Sequence, residues 1–136
     1  MADTINIGLK KMADNLIEVR LSPGKGRGIF AKRDIKKGET IEIAPVLLVP
    51  TKDEPFIFHS FLQDYSFSSY DGAEECTAIG LGYSSLYNHA KKCNADYVCS
   101  TEMVIITAIK NIKKDSEVTI HYGWDKKHNK DVGIKE

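Results

Sequence analysis

Residues 86–97, LYNHAKKCNADY, gather Asn88, His89, Cys93 and Asn94 and follow them with Tyr97. Two chemistries use such a set. A histidine and a cysteine four apart could ligate a metal, or an Asn-His pair could hold a ligand through amide and backbone groups. The metal reading lacks partners. The other histidines are His59, His121 and His128, the other cysteines are Cys76 and Cys99, and no CxxC or second pair at zinc spacing completes a tetrahedral set. No metal is expected.

Two further stretches carry residue types that suit a ligand. In GKGRG, the glycines at 24, 26 and 28 permit positive φ and close backbone approach. The dinucleotide fingerprint does not fit, because the run that follows, IFAKRDI, is strand-like rather than a helix start. Such a loop is more often only a hairpin turn. VTIHYG (118–123) ends an alternating strand with Tyr122 beside Gly123. Taken singly, that tyrosine is a partly buried ring whose hydroxyl finds a partner, and Asn88-His89 is an ordinary turn with a capping Asn.

The elements that position these residues read as mostly β. Alternation predicts strands over 16–22, 29–35, 40–49, 96–100, 102–112 and 118–123, with turns at 23–28, 36–39 and 113–117 and a strand beginning at 76. Pro45 and Pro50 would confine the third strand to an edge or end it. Residues 53–75 differ in character. They hold six carboxylates, no Lys or Arg and six of the chain's twelve aromatics, with a short helix expected around 56–64. This segment is either a solvated loop with its aromatics in the core or an acidic groove for a basic peptide. No internal repeat stands out.

Composition bounds the rest. A chain of 136 residues, 42% hydrophobic and 28% charged, suits one folded domain. Nineteen basic residues balance nineteen acidic ones, which argues against broad nucleic-acid binding and leaves room only for a local patch. The three cysteines form no disulfide framework, and reduced thiols point to the cytoplasm or nucleus. The N-terminus has no signal-peptide stretch, and the most apolar run, 41–50, contains Glu42 and two prolines and is too short to span a bilayer, so no membrane partner is expected.

No single motif is specific, but their order and spacing together resemble the SET domain, the fold of most protein-lysine methyltransferases. GKGRGIFAKRDIKKGE is similar to that family's opening Gly-x-Gly strand and basic turn ending in Gly-Glu. LGYSSLYNHAKKCNADY is similar to its central Asn-His motif, and ITAIKNIKKDSEVTIHYG to its closing element. The likeness spans residues 16–125. Ala90, Cys93, Asp115-Ser116-Glu117 and His121 depart from the usual Ser, Pro, Gly-Glu-Glu and Asp. Asn88, His89, Asn94, Tyr122 and Gly123 match.

The resemblance implies a mostly-β SET β-clip fold of several small sheets, with a C-terminal pseudoknot and short helices. The SET unit would cover 15–125 with 53–75 as variable insert, between an N-terminal lead-in (1–14) and a C-terminal tail (126–136). It implies S-adenosylmethionine as cofactor, met by Lys25, Gly26, Arg27, Gly28, Asn88, His89 and Trp124. It implies Tyr122 as the catalytic residue at the end of a lysine channel lined by Tyr97 and Ile120. Ile120, not being aromatic, cannot take the product-limiting role that a second tyrosine such as Tyr97 could. The implied partner is a basic protein or peptide lysine substrate of histone or ribosomal type, with no direct nucleic acid, and a second copy of the chain could complete the groove. A catalytically silent peptide-binding module is the alternative reading.

Overall fold

The computed structural model describes residues 16–123. The lead-in at 1–14, the tail and Trp124 lie outside the described residues. Nine strands run in chain order: β1 (Ile17–Ser22), β2 (Gly26–Ala31), β3 (Thr40–Leu48), β4 (Ser66–Asp71), β5 (Glu74–Gly80), β6 (Asn88–His89), β7 (Ala95–Cys99), β8 (Met103–Ala108) and β9 (Glu117–Ile120). They form a four-stranded sheet in the order β1-β2-β9-β6 and a five-stranded sheet in the order β4-β5-β3-β8-β7. A short helix, α1 (Glu54–Phe58), and the 3-10 turns Thr51–Asp53, Phe61–Tyr65 and Ser84–Leu86 complete the described fold. Among the described residues no helix is long and apolar enough to cross a membrane.

Alternation explains why the sheets close on one core. Ile29, Ile41, Val104, Ile106, Val118 and Ile120 are buried there together, with Ile35 and Ile112 sealing the junction between the sheets. The five-stranded sheet curls so that its two edges meet. Ser69 of β4 donates to the Cys99 carbonyl of β7 at 3.1 Å, and the rings of Phe67 and Tyr97 meet edge to face at 5.2 Å.

Several expectations are corrected. β3 is central, not an edge. Thr40–Pro45 pair with β8 and Val46–Leu48 with β5, so Pro45 stands where the strand changes partners and a missing N–H costs least. The glycine loop is half strand, since β2 already starts at Gly26. The helix expected at 56–64 is α1 followed by a separate 3-10 turn, and 66–80 is a hairpin turning at Gly72 (φ 63°).

The strands expected at 29–35 and 102–112 stop at Ala31 and Ala108 because the segments beyond them bond to each other. A short repeat overlooked in the sequence does this: Ala31 to Lys37 (AKRDIKK) matches Ala108 to Lys114 (AIKNIKK). Ile35 and Ile112 exchange both backbone bonds, at 2.7 and 2.8 Å. Gly38 N–H donates to the Ala108 carbonyl and Asp115 N–H to the Ala31 carbonyl. Lys37 N–H donates to Asn111 Oδ1 and Lys114 N–H to Asp34 Oδ1. Even the positive φ is shared, 90° at Gly38 and 70° at Asp115.

Candidate active site

β6 and β9 pair in parallel, Asn88 with Thr119 and His89 with Ile120. This two-residue ladder brings the C-terminal segment against the Asn-His pair. Asn94 locks it: its Nδ2 donates to the Glu117 carbonyl at 2.9 Å, and its Oδ1 accepts from Thr119 N–H at 2.9 Å. Tyr122 then lands beside His89. Its backbone N–H donates to His89 Nδ1 at 3.1 Å, and the two rings sit 5.3 Å apart. Because Nδ1 accepts, the neutral imidazole carries its proton on Nε2.

A cavity of about 40 Å³ lies on one side of Tyr122. Tyr122, Tyr97 and Ile120, the three residues assigned to catalysis and channel, all line it, together with Tyr65, Phe67, Tyr87, Asp64 and three serines. The Tyr122 hydroxyl donates to the Tyr87 carbonyl at 2.6 Å. Burial first, then the nearby Tyr65 and Glu117, push its pKa up to about 12. It is a neutral phenol at physiological pH. Burial also raises the half-buried Tyr97.

Sequence reasoning missed what holds the cavity's back wall. Glu42 is 1% exposed, yet it is a carboxylate in the core. Its Oε1 accepts from the Tyr87 hydroxyl at 2.7 Å and its Oε2 from Tyr83 N–H at 2.8 Å. Burial raises its pKa above the ordinary 4.5, and burial with the Glu42 charge raises Tyr87 well above 10. In TIEIAP, Glu42 looks like a solvent-facing strand residue. The signal that could have found it is position, since it interrupts the most apolar run of the chain.

The residues assigned to the cofactor, Trp124 apart, meet around Asn88 and His89. Asn88 Nδ2 donates to the Arg27 carbonyl at 2.9 Å and to Glu117 Oε2 at 2.8 Å. Ser22 donates to the other Glu117 oxygen at 2.7 Å. Both Asn88 amide hydrogens are thus used, and Oδ1 is left to accept. Gly28 is a glycine because of this pair: a Cβ there would lie 2.6 Å from Glu117 Oε2 and 2.8 Å from Asn88 Nδ2. Gly26 instead needs its φ of 78°, with open space where a Cβ would be. Lys25 Nζ donates to the His89 carbonyl at 3.3 Å. Glu117, like Glu42, was not singled out from the sequence. Among the described residues no group of three or more His, Cys, Asp or Glu is placed to hold a metal ion.

The SET-domain family model matches residues 26–123. The chain belongs to the SET-domain family. A curated relative, the Schizosaccharomyces pombe "Histone-lysine N-methyltransferase, H3 lysine-37 specific", is 29% identical over 110 residues, covering 79% of this chain and 73% of its own. A Plasmodium falciparum crystal structure described as a histone methyltransferase is 34% identical, with a TM-score of 0.65 over 81% of this chain and 95% of that one. The mostly-β architecture of small sheets with a few short helices is that of SET domains. Within it, the insert has one outcome that the sequence left open. Its aromatics are not core: Phe56 is 75% and Phe61 74% exposed, and Phe67 alone of the six is buried.

Proposed function

We propose that this chain transfers methyl groups from S-adenosylmethionine to a lysine of a basic, histone-like protein. Its family and relatives make it a protein-lysine N-methyltransferase; the cofactor, the substrate class and the residue roles are our reading. The observation that carries it is the position of Tyr122, which lines the cavity while its ring and backbone N–H meet His89.

The donor set fits the cofactor. Asn88 Oδ1 can accept from an ammonium, the exposed Lys25 and Arg27 can meet a carboxylate, and the space at Gly26 admits close backbone approach. S-adenosylmethionine, when bound, supplies an electrophilic sulfonium methyl. The chain's own residues do the rest. A lysine entering the cavity exchanges water for Phe67, Ile120 and tyrosine rings, which favours its neutral, nucleophilic amine. With its proton given to the Tyr87 carbonyl, the Tyr122 oxygen turns its lone pairs to the cavity and accepts from the amine N–H. That aims the nitrogen lone pair along the transfer line. A phenol near 12 is too weakly acidic to act as the base at neutral pH, so Tyr122 orients rather than deprotonates.

Tyr97, in the same wall, limits room around a methylated amine and favours fewer methyls. The acidic insert supports a basic substrate, since Asp64 and Tyr65 belong to both insert and cavity. The test is transfer of labelled methyl from S-adenosylmethionine to a panel of basic proteins, with the modified residue identified by mass spectrometry. Label on lysine is expected. Label on arginine or carboxyl groups, or no binding of the cofactor, would overturn the reading.

A further inference from the structure

The repeated turns have a property that the fold does not explain. Their frame is made by backbone groups, Asp34, Asn111 and the two buried isoleucines. The lysine side chains take no part in it. Lys32, Lys36 and Lys37 on one turn, and Lys110, Lys113 and Lys114 on the other, are all exposed. Among the described residues none of these six makes an ion pair or a side-chain hydrogen bond. Arg33 is paired with Glu39, and Asp115 with Arg20. Asp34 accepts a backbone bond from the opposite turn. Asp34 and Glu39 are thus engaged within the turns and Asp115 by Arg20, and six lysines with Arg33 outnumber these three acids on two segments tied by reciprocal hydrogen bonds.

Among the described residues the acidic insert starts away from them. The acidic insert begins after the far end of β3, whereas the first basic turn leads into its start. Nine strand residues separate the two ends by about 26 Å at the usual rise per residue, well beyond the roughly 8 Å Debye length at physiological salt. The described residues thus place the first basic turn at one end of β3 and the acidic insert beyond the other.

We propose that the two lysine-rich turns bind the phosphate backbone of a nucleic-acid duplex. Clustered, unpaired lysines on a rigid frame release counterions when they meet closely spaced phosphates. A lipid surface suits this face less well. Ile35 and Ile112 are buried and Ile109 alone of the turns' isoleucines reaches the surface, whereas interfacial binding needs an apolar face to insert as well as charge. The neutral total charge excluded only binding spread over the whole surface, and this patch is local. Resting on the proposed activity, the inference extends it: the substrate is a basic protein carried on nucleic acid, with its lysine at the acidic end and the duplex at the basic end.

The test is fluorescence anisotropy of a labelled DNA duplex about 20 base pairs long with the full chain, read without turnover so that its failure is separate from failure of the methyl-transfer reading. Neutralising four to six phosphates gives an expected log–log salt slope of about −4 to −5. Lys36→Glu/Lys37→Glu and Lys113→Glu/Lys114→Glu should each weaken binding at least tenfold. Lys52→Glu, a charge reversal at an exposed lysine beyond the far end of β3, should weaken it less than threefold. Methylation of a free basic peptide should be unchanged in all three. No binding at 50 mM salt, equal losses from all three variants, or tighter variant-sensitive binding to phosphatidylserine vesicles than to the duplex would overturn the proposal.

Discussion

Glu42→Gln isolates the buried support behind the cavity that Tyr122 and Tyr87 line. Glu42 accepts two bonds, from Tyr83 N–H and from the Tyr87 hydroxyl. Glutamine keeps the volume but has one acceptor oxygen, so its NH₂ must face one of the two donors. A buried donor without a partner costs about 1–3 kcal/mol. The pH dependence has a definite sign. Burial raises the folded-state pKa of Glu42 above 4.5, and its hydrogen bonds only partly offset this. A carboxylate with a raised folded pKa contributes stability that is present below the unfolded value and is lost as pH rises through the folded one. Wild type should therefore lead the Glu42→Gln variant by about 1–3 kcal/mol near pH 4, and the lead should shrink towards neutrality. Urea denaturation of both proteins across pH 4–8 measures this. Turnover should fall too, by roughly fivefold, the equivalent of about 1 kcal/mol in alignment, because the Tyr87 carbonyl holds the Tyr122 hydroxyl. A lead that widens with pH would refute the reasoning, since the ionised carboxylate would then be the form that the core prefers.

Gly28→Ala places a methyl against Glu117 and Asn88; a loss of about 1–3 kcal/mol in stability and weaker S-adenosylmethionine binding by calorimetry are expected. Tyr97→Phe removes a hydroxyl from the cavity wall, and mass spectrometry of the product should show a shift towards higher methylation states. Glu74→Lys/Glu75→Lys reverses charge on the exposed start of β5; KM for a basic peptide should rise, and its salt dependence should flatten, with kcat nearly unchanged.

The strands were legible because alternation is local: β8 buries Val104, Ile106 and Ala108 and leaves Ile105 and Thr107 partly exposed, although β1 turns Leu21 out and Ser22 in. The candidate site residues stood out only as an ordered set, since Asn88, His89 and Tyr122 mean little apart. What was hidden depends on contacts between distant segments. Pro45 reads as a strand breaker until β3 is seen to change partners there. The strand ends at Ala31 and Ala108 depend on a turn more than seventy residues away. Glu42 and Glu117 look like surface acids because alternation cannot say which polar position faces a tyrosine hydroxyl or an amide. The exposed aromatics of α1 and the following turn read equally well as core, since hydrophobicity names a side chain that would be buried but not its partner.

The central claim is that Tyr122 orients a lysine amine at the junction of channel and cofactor site. Single-turnover methyl transfer by wild type and Tyr122→Phe, beside the Kd for S-adenosylmethionine, tests it most directly. The account predicts a Kd within about twofold and a transfer rate lower by on the order of a hundredfold or more, the size expected when positioning is lost. Transfer at the wild-type rate by Tyr122→Phe would contradict it.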